Sequence, residues 1–441
     1  MKINRSLFFN LALLTVAIAA SFGCALDSQS CCDSEPLVEL GRIEEPSLAI
    51  LPGEKLVGAW ASVNPDGQAE ILFSRFSDQS ESWTAPRRVS PTSGTAVAGR
   101  QVGPRLAVLS GGEIAIAWVD RARDSAGDVF VAVSADGGKT FTPPARANDD
   151  APVNVGQEYH DITPTKDGGL ATVWLDERDA PAGEENRKQL YLAVSKDGKN
   201  FSSNERLTNS DNGVCPCCRP QIVSGEDGSL HVIYRDRVGE KLFVRVLSRQ
   251  ADEQRFTTTT LSDGWVFPGC PVNGPAIAVG PGGRLWALWV EGENEEEQLW
   301  WSRSNDRGKT FSAKRRFLPG PADRKPANWP SGVARHLALG ALDTGAAIAV
   351  WENHLGKVWT AILSDRENEM PSSPTLVAGG LSSIARSPSV ATFHEVIRLC
   401  WIEEDILSFV NESSEIHAEH QFPRHRRLEL TGQMLRFALS E

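Results

Sequence analysis

Seven times in this chain an apolar run ends on an aromatic residue, and in most copies an acid follows within two positions. The copies are Lys55–Trp60 (KLVGAW), Glu113–Asp120 (EIAIAWVD), Leu170–Asp176 (LATVWLD), Leu230–Asp236 (LHVIYRD), Leu285–Glu291 (LWALWVE), Ala347–Glu352 (AIAVWE) and Val396–Glu403 (VIRLCWIE). Their aromatic anchors are Trp60, Trp118, Trp174, Tyr234, Trp289, Trp351 and Trp401, spaced 50 to 62 residues apart. Six of the runs follow a glycine turn, at Gly53, Gly112, Gly169, Gly228, Gly283 and Gly345, and a second short apolar run precedes the turn, as in Pro104–Val108 (PRLAV) and Pro275–Val279 (PAIAV). Such a hairpin buries both its faces only by stacking on copies of itself, and a unit with room for four strands is the size of a propeller blade. The predicted class is all-β: a β-propeller of four-stranded blades, with seven repeats counted, in one domain over residues 40–441 that includes a C-terminal closing segment. Its last blade would be closed by a strand near Leu37–Leu40 or near Arg427–Leu430.

A sharper signal joins the outer strands. Ser134–Phe141 (SADGGKTF) and Ser304–Phe311 (SNDRGKTF) both read S-x-D-x-G-x-T-F; Ser195–Phe201 (SKDGKNF) is one residue shorter and Phe76–Trp83 (FSDQSESW) is degenerate. An Asp carboxylate can accept the N–H groups of its own turn, Gly permits a left-handed backbone, and the aromatic residue closes the gap between strands.

On these motifs the chain resembles the Asp-box, or BNR-repeat, propellers typified by sialidases, over roughly residues 40 to 412. It also resembles an uncharacterised exported branch of them with CPCC and GCPVNGP motifs. The resemblance implies a six-bladed alternative to the seven repeats counted, and boxes on the face opposite the active site. It also implies an arginine on the first inner strand, one of three that hold the substrate carboxylate, a Tyr nucleophile paired with Glu, and an Asp acid/base. The sequence departs from that pattern. Aligned on Pro46–Leu48, Glu44 stands where the arginine belongs, with Arg42 two residues before it. The tyrosines are Tyr159, Tyr191 and Tyr234, none in the late blades that carry the family's nucleophile. The scaffold is therefore expected without standard sialidase catalysis.

The ends and the charge set the setting. Lys2 and Arg5 precede an apolar stretch from Leu7 to Ala20, the pattern of a signal peptide, and Ser21–Cys24 offers a loose lipobox with Cys24 as the lipidated residue. Cleavage after Ala17-Ile18-Ala19 is the alternative. Residues 1–23 are read as the signal and 24–39 as a polar tether, so the protein is expected in the cell envelope, touching a membrane only through its lipid anchor. The full chain has 45 basic and 57 acidic residues; removing Lys2 and Arg5 leaves 43 against 57, a net charge of −14. That balance argues against nucleic acid as a partner and leaves a polar ligand, a glycan or a protein.

Asp120, Asp176, Asp236, Glu291, Glu352 and Glu403 all follow the anchors, with Arg121, Arg178 and Arg237 close by. They could ring the central channel as a funnel for a polar ligand, or pair with one another as structure. The candidate ligand-binding residues are Asp120, Arg121, Asp176, Arg178, Arg219, Asp236, Arg237, Asn273, Glu291 and Arg335. Catalytic candidates are His160 and Asp161, a neighbouring pair at the entry to a first strand, and Asp176; Arg335-His336 stands at the equivalent place in the sixth unit.

The least ordinary segments are Asn212–Pro220 (NGVCPCCRP) and Asp263–Pro275 (DGWVFPGCPVNGP), each at the entry to a first strand of neighbouring units. Cys215, Cys217, Cys218 and Cys270 could meet there. Disulfides are natural in an exported protein, Cys270 with one of the other three or a vicinal Cys217–Cys218 pair. A thiolate site for zinc or copper, or redox exchange, is the sharper alternative. Three functions stay open: a ligand-binding propeller, a sialidase-like glycoside hydrolase, and a metal or redox protein.

Overall fold

The computed structural model describes residues 41–405 except 78, 80–81, 124, 150–154, 182, 185, 268–272, 294–295, 318–333, 367–368, 370, 380–382 and 395. The signal, the tether, Cys24, Cys270 and both closing segments lie outside the described residues.

Six sheets are complete blades. Their innermost strands are Arg42–Leu51, Arg105–Val108, Gln157–Pro164, Gln221–Ser224, Ala276–Gly280 and Ala334–Ala341, and in all but the first sheet every strand pairs antiparallel with the next in sequence. The first blade has five segments because its outer strand is split into Ser82–Trp83 and Arg87–Arg88. A seventh unit, the hairpin Ser383–Phe393 and Val396–Asp405, lies between the sixth blade and the first; its inner strand touches both neighbouring inner strands and closes the ring. Each of the seven anchors falls in the second strand of its own sheet. The fold is thus six four-stranded blades, as the alternative reading had it, with the seventh repeat two-stranded among the described residues.

The core follows from strand periodicity. Second strands have sheet on both sides and neighbouring blades on both faces, so they are apolar throughout rather than alternating. Ile114–Asp120 and Leu170–Asp176 are buried at every position. Clusters run from blade to blade, as where Trp351 meets Phe317 across the fifth and sixth.

The S-x-D-x-G-x-T-F turns form as their chemistry requires. Asp136 Oδ1 accepts from Lys139 N and Thr140 N, both at 2.9 Å, and Ser134 Oγ accepts from Gly138 N at 2.8 Å. Asp306 and Asp197 repeat the arrangement in their own turns. Gly138 has φ +85, and a Cβ there would sit 2.1 Å from the Phe73 ring of the preceding blade. Phe141 packs edge-on against that same ring at 5.3 Å. These turns therefore join blades as well as strands.

Four of the seven inner strands carry the same β-bulge. Register shifts fall at Glu44/Ser47, Glu158/Asp161, Arg335/Ala338 and Arg386/Ser389, where three residue steps on the inner strand face two on its partner. In each, one non-glycine residue is left-handed: Glu45 (φ 48), Tyr159 (φ 53), His336 (φ 46) and Ser387 (φ 49). A bulge inserts one residue, turns its side chain aside and bends the strand, and strained backbone of this kind gathers at functional sites.

Candidate functional site: an arginine-lined cavity over a Glu–His–Glu clamp

Three of the bulges, in the first, sixth and seventh units, face one cavity of about 490 Å³. Its floor is a buried three-part clamp. His336 Nε2 lies 3.0 Å from Glu45 Oε1, and His336 Nδ1 forms an ion pair at 2.9 Å with Glu352 Oε1. Ser387 N donates to Glu352 Oε2 at 2.6 Å, and Ser387 Oγ donates to Glu45 Oε1 at 3.3 Å. Arg219 reaches Glu45 Oε2 from the fourth blade at 3.8 Å.

Burial works against the charges of His336 and Glu45, and their partners outweigh it. Desolvation drives the His336 pKa down, but Glu352 and Glu45 raise it to about 10, so the ring is an imidazolium at neutral pH. Desolvation drives Glu45 up, but the charge and hydrogen bond of His336, then Arg219, hold it at about 2. His336 and Glu45 are thus both charged near neutrality, which suits them to orienting their surroundings.

Arg100, Arg335 and Arg386 line the cavity above it. The Arg100 pKa is lowered, by burial first and then by the neighbouring charge of Arg335, with Arg386 acting in the same direction. Neither Arg100 nor Arg335 has a hydrogen-bond or ion-pair partner among the described residues. Glu44 also borders the cavity but is neutralised by Arg42 at 2.6 Å. Arg100 and Arg335 thus stand in the cavity as guanidiniums without such a partner among the described residues, on a chain of net charge −12. The cavity adjoins the axial channel, with Glu45, His336 and Ser387 bordering both; the channel is lined by inner strands and has a volume of about 250 Å³.

The other sequence candidates sit elsewhere. Asp120 accepts from the Trp118 indole at 3.0 Å and from Ala122 N at 2.8 Å. Asp176 accepts from Trp174 Nε1 at 2.7 Å and from Arg178 at N and Nη2, both 2.8 Å. Glu291 accepts from Trp289 Nε1 at 3.3 Å and from Lys314 at 3.0 Å, and Asp236 pairs with Arg245 at 2.7 Å. The expected ring of acids is corrected accordingly. At anchor +2 an acid shares its strand face with the aromatic anchor and turns back onto its own blade. Glu352 alone follows its anchor directly, so it emerges on the opposite face and enters the cavity. For Glu403 the side chain lies outside the described residues. Arg121 approaches Glu158 at 4.0 Å, and Arg237 donates to the Asn212 carbonyl.

His160 and Asp161 do not form a dyad. The His160 Nε2 contacts the Ala117 carbonyl at 3.0 Å, and burial lowers its pKa to about 4. Asp161 accepts from Arg105 Nε at 3.0 Å and Ile222 N at 2.9 Å, a tie between three blades. Asn273 is a strut, donating to the Ala334 carbonyl at 2.8 Å. No tyrosine lines the cavity among the described residues.

At the fourth blade, Cys215 and Cys218 are buried free thiols, while Cys217 is half-buried and disulfide-bonded. The partner of Cys217 lies outside the described residues. The three sulfurs lie within 4.8 Å of one another, with Cys215 Sγ 3.7 Å from Cys217 Sγ. A disulfide sulfur is no thiolate ligand, so only Cys215 and Cys218 are available to a metal here. Burial raises the Cys218 pKa, but the hydrogen bond from Cys215 and the charge of Arg235 lower it to about 7.

Sequence reasoning chose Arg335 and noted His336 and Glu352 in passing, but missed Glu45, Arg100 and Arg386. The available signal was a charged residue just before the same inner-strand position in four units: Glu44, Glu158, Arg335 and Arg386.

No family model matches the chain, and no curated protein matches it. Among solved structures it is similar to a polysaccharide lyase of family PL25, an ulvan lyase bound to -[GlcA(1-4)Rha3S]-, at a TM-score of 0.53 and 11% identity, covering 83% of this chain and 92% of that one. The α-L-arabinofuranosidase Arb93A of Fusarium graminearum gives 0.48 and 15%, covering 76% and 92%. The NanB sialidase of Streptococcus pneumoniae gives 0.43 and 11%, covering 84% and 66%. The likeness to the lyase bears on the fold alone, and that fold is the β-propeller.

Proposed function

We propose that this protein is an exported, lipid-anchored propeller of the Asp-box type that binds an acidic glycan at the cavity, without sialidase chemistry. The observation that carries the reading is the pair of unpartnered guanidiniums, Arg100 and Arg335, above a buried clamp that keeps its own charges fixed. A planar guanidinium matches a carboxylate in two-pronged fashion, and a partly desolvated cluster of them is costly without an anion to receive. A uronate or other sugar acid supplies that anion, and its hydroxyls suit the polar rim around Asn353 and His354. The ligand bound to the ulvan lyase contains such a sugar.

Cleavage of the bound glycan is a second reading, favoured by one group. Burial raises the pKa of Glu297, a carboxyl close enough to Arg335 and Arg235 to feel their charge. A carboxyl with a raised pKa is suited to general acid catalysis, and Glu297 stands beside the cavity's Arg335 without being part of the cavity's own lining.

Calorimetric titration with uronate-bearing and sialate-bearing oligosaccharides, against their neutral counterparts, tests the first reading. Acidic ligands should bind and neutral ones should not, with affinity falling at least about tenfold in Arg335→Ala and Arg100→Ala. Equal binding of neutral ligands, or none by any acidic ligand, would overturn it. Release of reducing ends by the wild type, lost in Glu297→Gln, would support the second reading.

A further inference from the structure

We infer that the axial channel binds a small monovalent anion of the halide class on the Arg219 guanidinium, at a site separate from the cavity. The titratable groups that line this channel of about 250 Å³ are Glu45, Arg105, Asp161, Arg219 and His336. Four of them are committed elsewhere. Arg105 Nε donates to Asp161 Oδ1 at 3.0 Å, and Asp161 Oδ2 accepts from Ile222 N at 2.9 Å. His336 lies 3.0 Å from Glu45 Oε1 and 2.9 Å from Glu352 Oε1. Arg219 is left poorly partnered. Glu45 Oε2 is 3.8 Å away, an ion pair without a hydrogen bond, and Nη1 reaches the Gln101 carbonyl only at 3.5 Å. Arg219 Nε has no hydrogen-bond partner among the described residues, although the residue is only 9% exposed.

A buried guanidinium with one long hydrogen bond is costly, because it has given up water without gaining full partners. Burial, and after it the charge of Arg105, lowers the Arg219 pKa to about 10 against the pull of Glu45 and Asp161. Water in the channel could meet the donors, but an anion also offsets the charge, and away from bulk solvent that attraction is strong. Glu45 and Asp161 beside the site oppose a divalent anion, which is why the ligand is monovalent. The backbone holds the guanidinium in place. Arg219 N donates to Gln101 Oε1 at 3.1 Å, and Gly274 N donates to the same oxygen at 3.0 Å. A Cβ on Gly274 would sit 2.3 Å from the Arg219 carbonyl oxygen, so the two loops approach at a distance that glycine permits. A donor fixed in this way loses little freedom when its ligand arrives. The site does not depend on what the cavity binds, since neither Arg100 nor Arg335 lines the channel.

The test places the full-length mature protein in sodium bromide at constant ionic strength, with a bulky sulfonate as the balancing anion. Binding is read from broadening of the bromide NMR line, and position from anomalous scattering by crystals of the wild type grown in bromide. The expected result is saturable broadening in the millimolar range that chloride reverses, with an anomalous peak in the channel at the Arg219 guanidinium. Arg219→Gln is compared in an Arg100→Ala/Arg335→Ala background, so that bromide drawn to the cavity does not mask the effect. Broadening should persist in that background and fall at least about tenfold when Arg219→Gln is added. Melting temperature reports folding of the variants, and the wild-type crystal stands without them. Bromide peaks confined to Arg100 and Arg335, or none in the channel at saturating bromide, would mean that water alone meets Arg219 and would overturn the proposal. So would broadening that is unchanged in folded Arg219→Gln.

Discussion

Replacing His336 with Gln removes the one positive charge between two buried carboxylates, and the structure fixes the consequence in both magnitude and pH. In the folded protein the imidazole titrates at about 10, against 6.5 for the ordinary group. A group whose pKa is raised on folding stabilises fully below its unfolded pKa, and that contribution is lost as pH rises toward the folded value. Glu45, lowered from 4.5 to about 2, contributes above 4.5 and loses its contribution as pH falls through about 2. Both report the same contact and are not summed. The wild type should therefore be most stable between about pH 4.5 and 6.5, and at 1.36 kcal/mol per pH unit the clamp loses about 3 kcal/mol by pH 9. Breaking a buried ion pair from one side costs about 3–5 kcal/mol. His336→Gln should thus be about 3–5 kcal/mol less stable at pH 6, and the gap should shrink to about 1–2 kcal/mol at pH 9. Urea unfolding followed by tryptophan fluorescence from pH 5.5 to 9.5 measures both quantities. Wild-type stability that is flat from pH 6 to 9, or a variant that keeps the full alkaline slope, would refute the assignment of a buried imidazolium.

Two further outcomes separate scaffold from site. Asp176→Asn weakens the acceptor for the Trp174 indole and for Arg178, so it should lower unfolding stability by about 1–3 kcal/mol while leaving binding of acidic glycans unchanged. Gly138→Ala drives a Cβ into the Phe73 ring and should cost about 1–3 kcal/mol, whereas Gly53→Ala, with a similar φ and nothing within 4 Å, should cost less than half of that, as read by thermal unfolding.

The scaffold was legible because its signals are local and repeated. An apolar second strand, a glycine turn and an Asp-centred turn recur in sequence, and each of the seven anchors marks its own sheet. The site was less legible because it depends on the phase of strand alternation, which a single inserted residue resets. Reading Arg42–Leu51 as a regular strand assigns Glu44 and Glu45 to faces by simple alternation, yet the bulge at Glu45 turns its carboxylate toward His336, 291 residues away in sequence. The acids misled for a related reason. Asp120 and Asp176 share a face with their tryptophans, and Glu352, one position earlier relative to its anchor, does not. Arg100 and Arg386 were missed because their common cavity is assembled from the first, sixth and seventh units together with the approach to the second.

The left-handed residue in four inner strands has a bearing on how such a protein changes. On three of those strands, the residue before the bulge and the bulged residue itself decide what the cavity presents: Glu44 and Glu45, Arg335 and His336, Arg386 and Ser387. A substitution at these positions changes the cavity surface, and at Glu45 and His336 it also changes a contact between blades. Selection can therefore rewrite the binding chemistry of this ring a few residues at a time. The third blade repeats the same backbone at Glu158 and Tyr159, but there the acid is paired with Lys188 and the ring packs against the core, so the bulge serves structure.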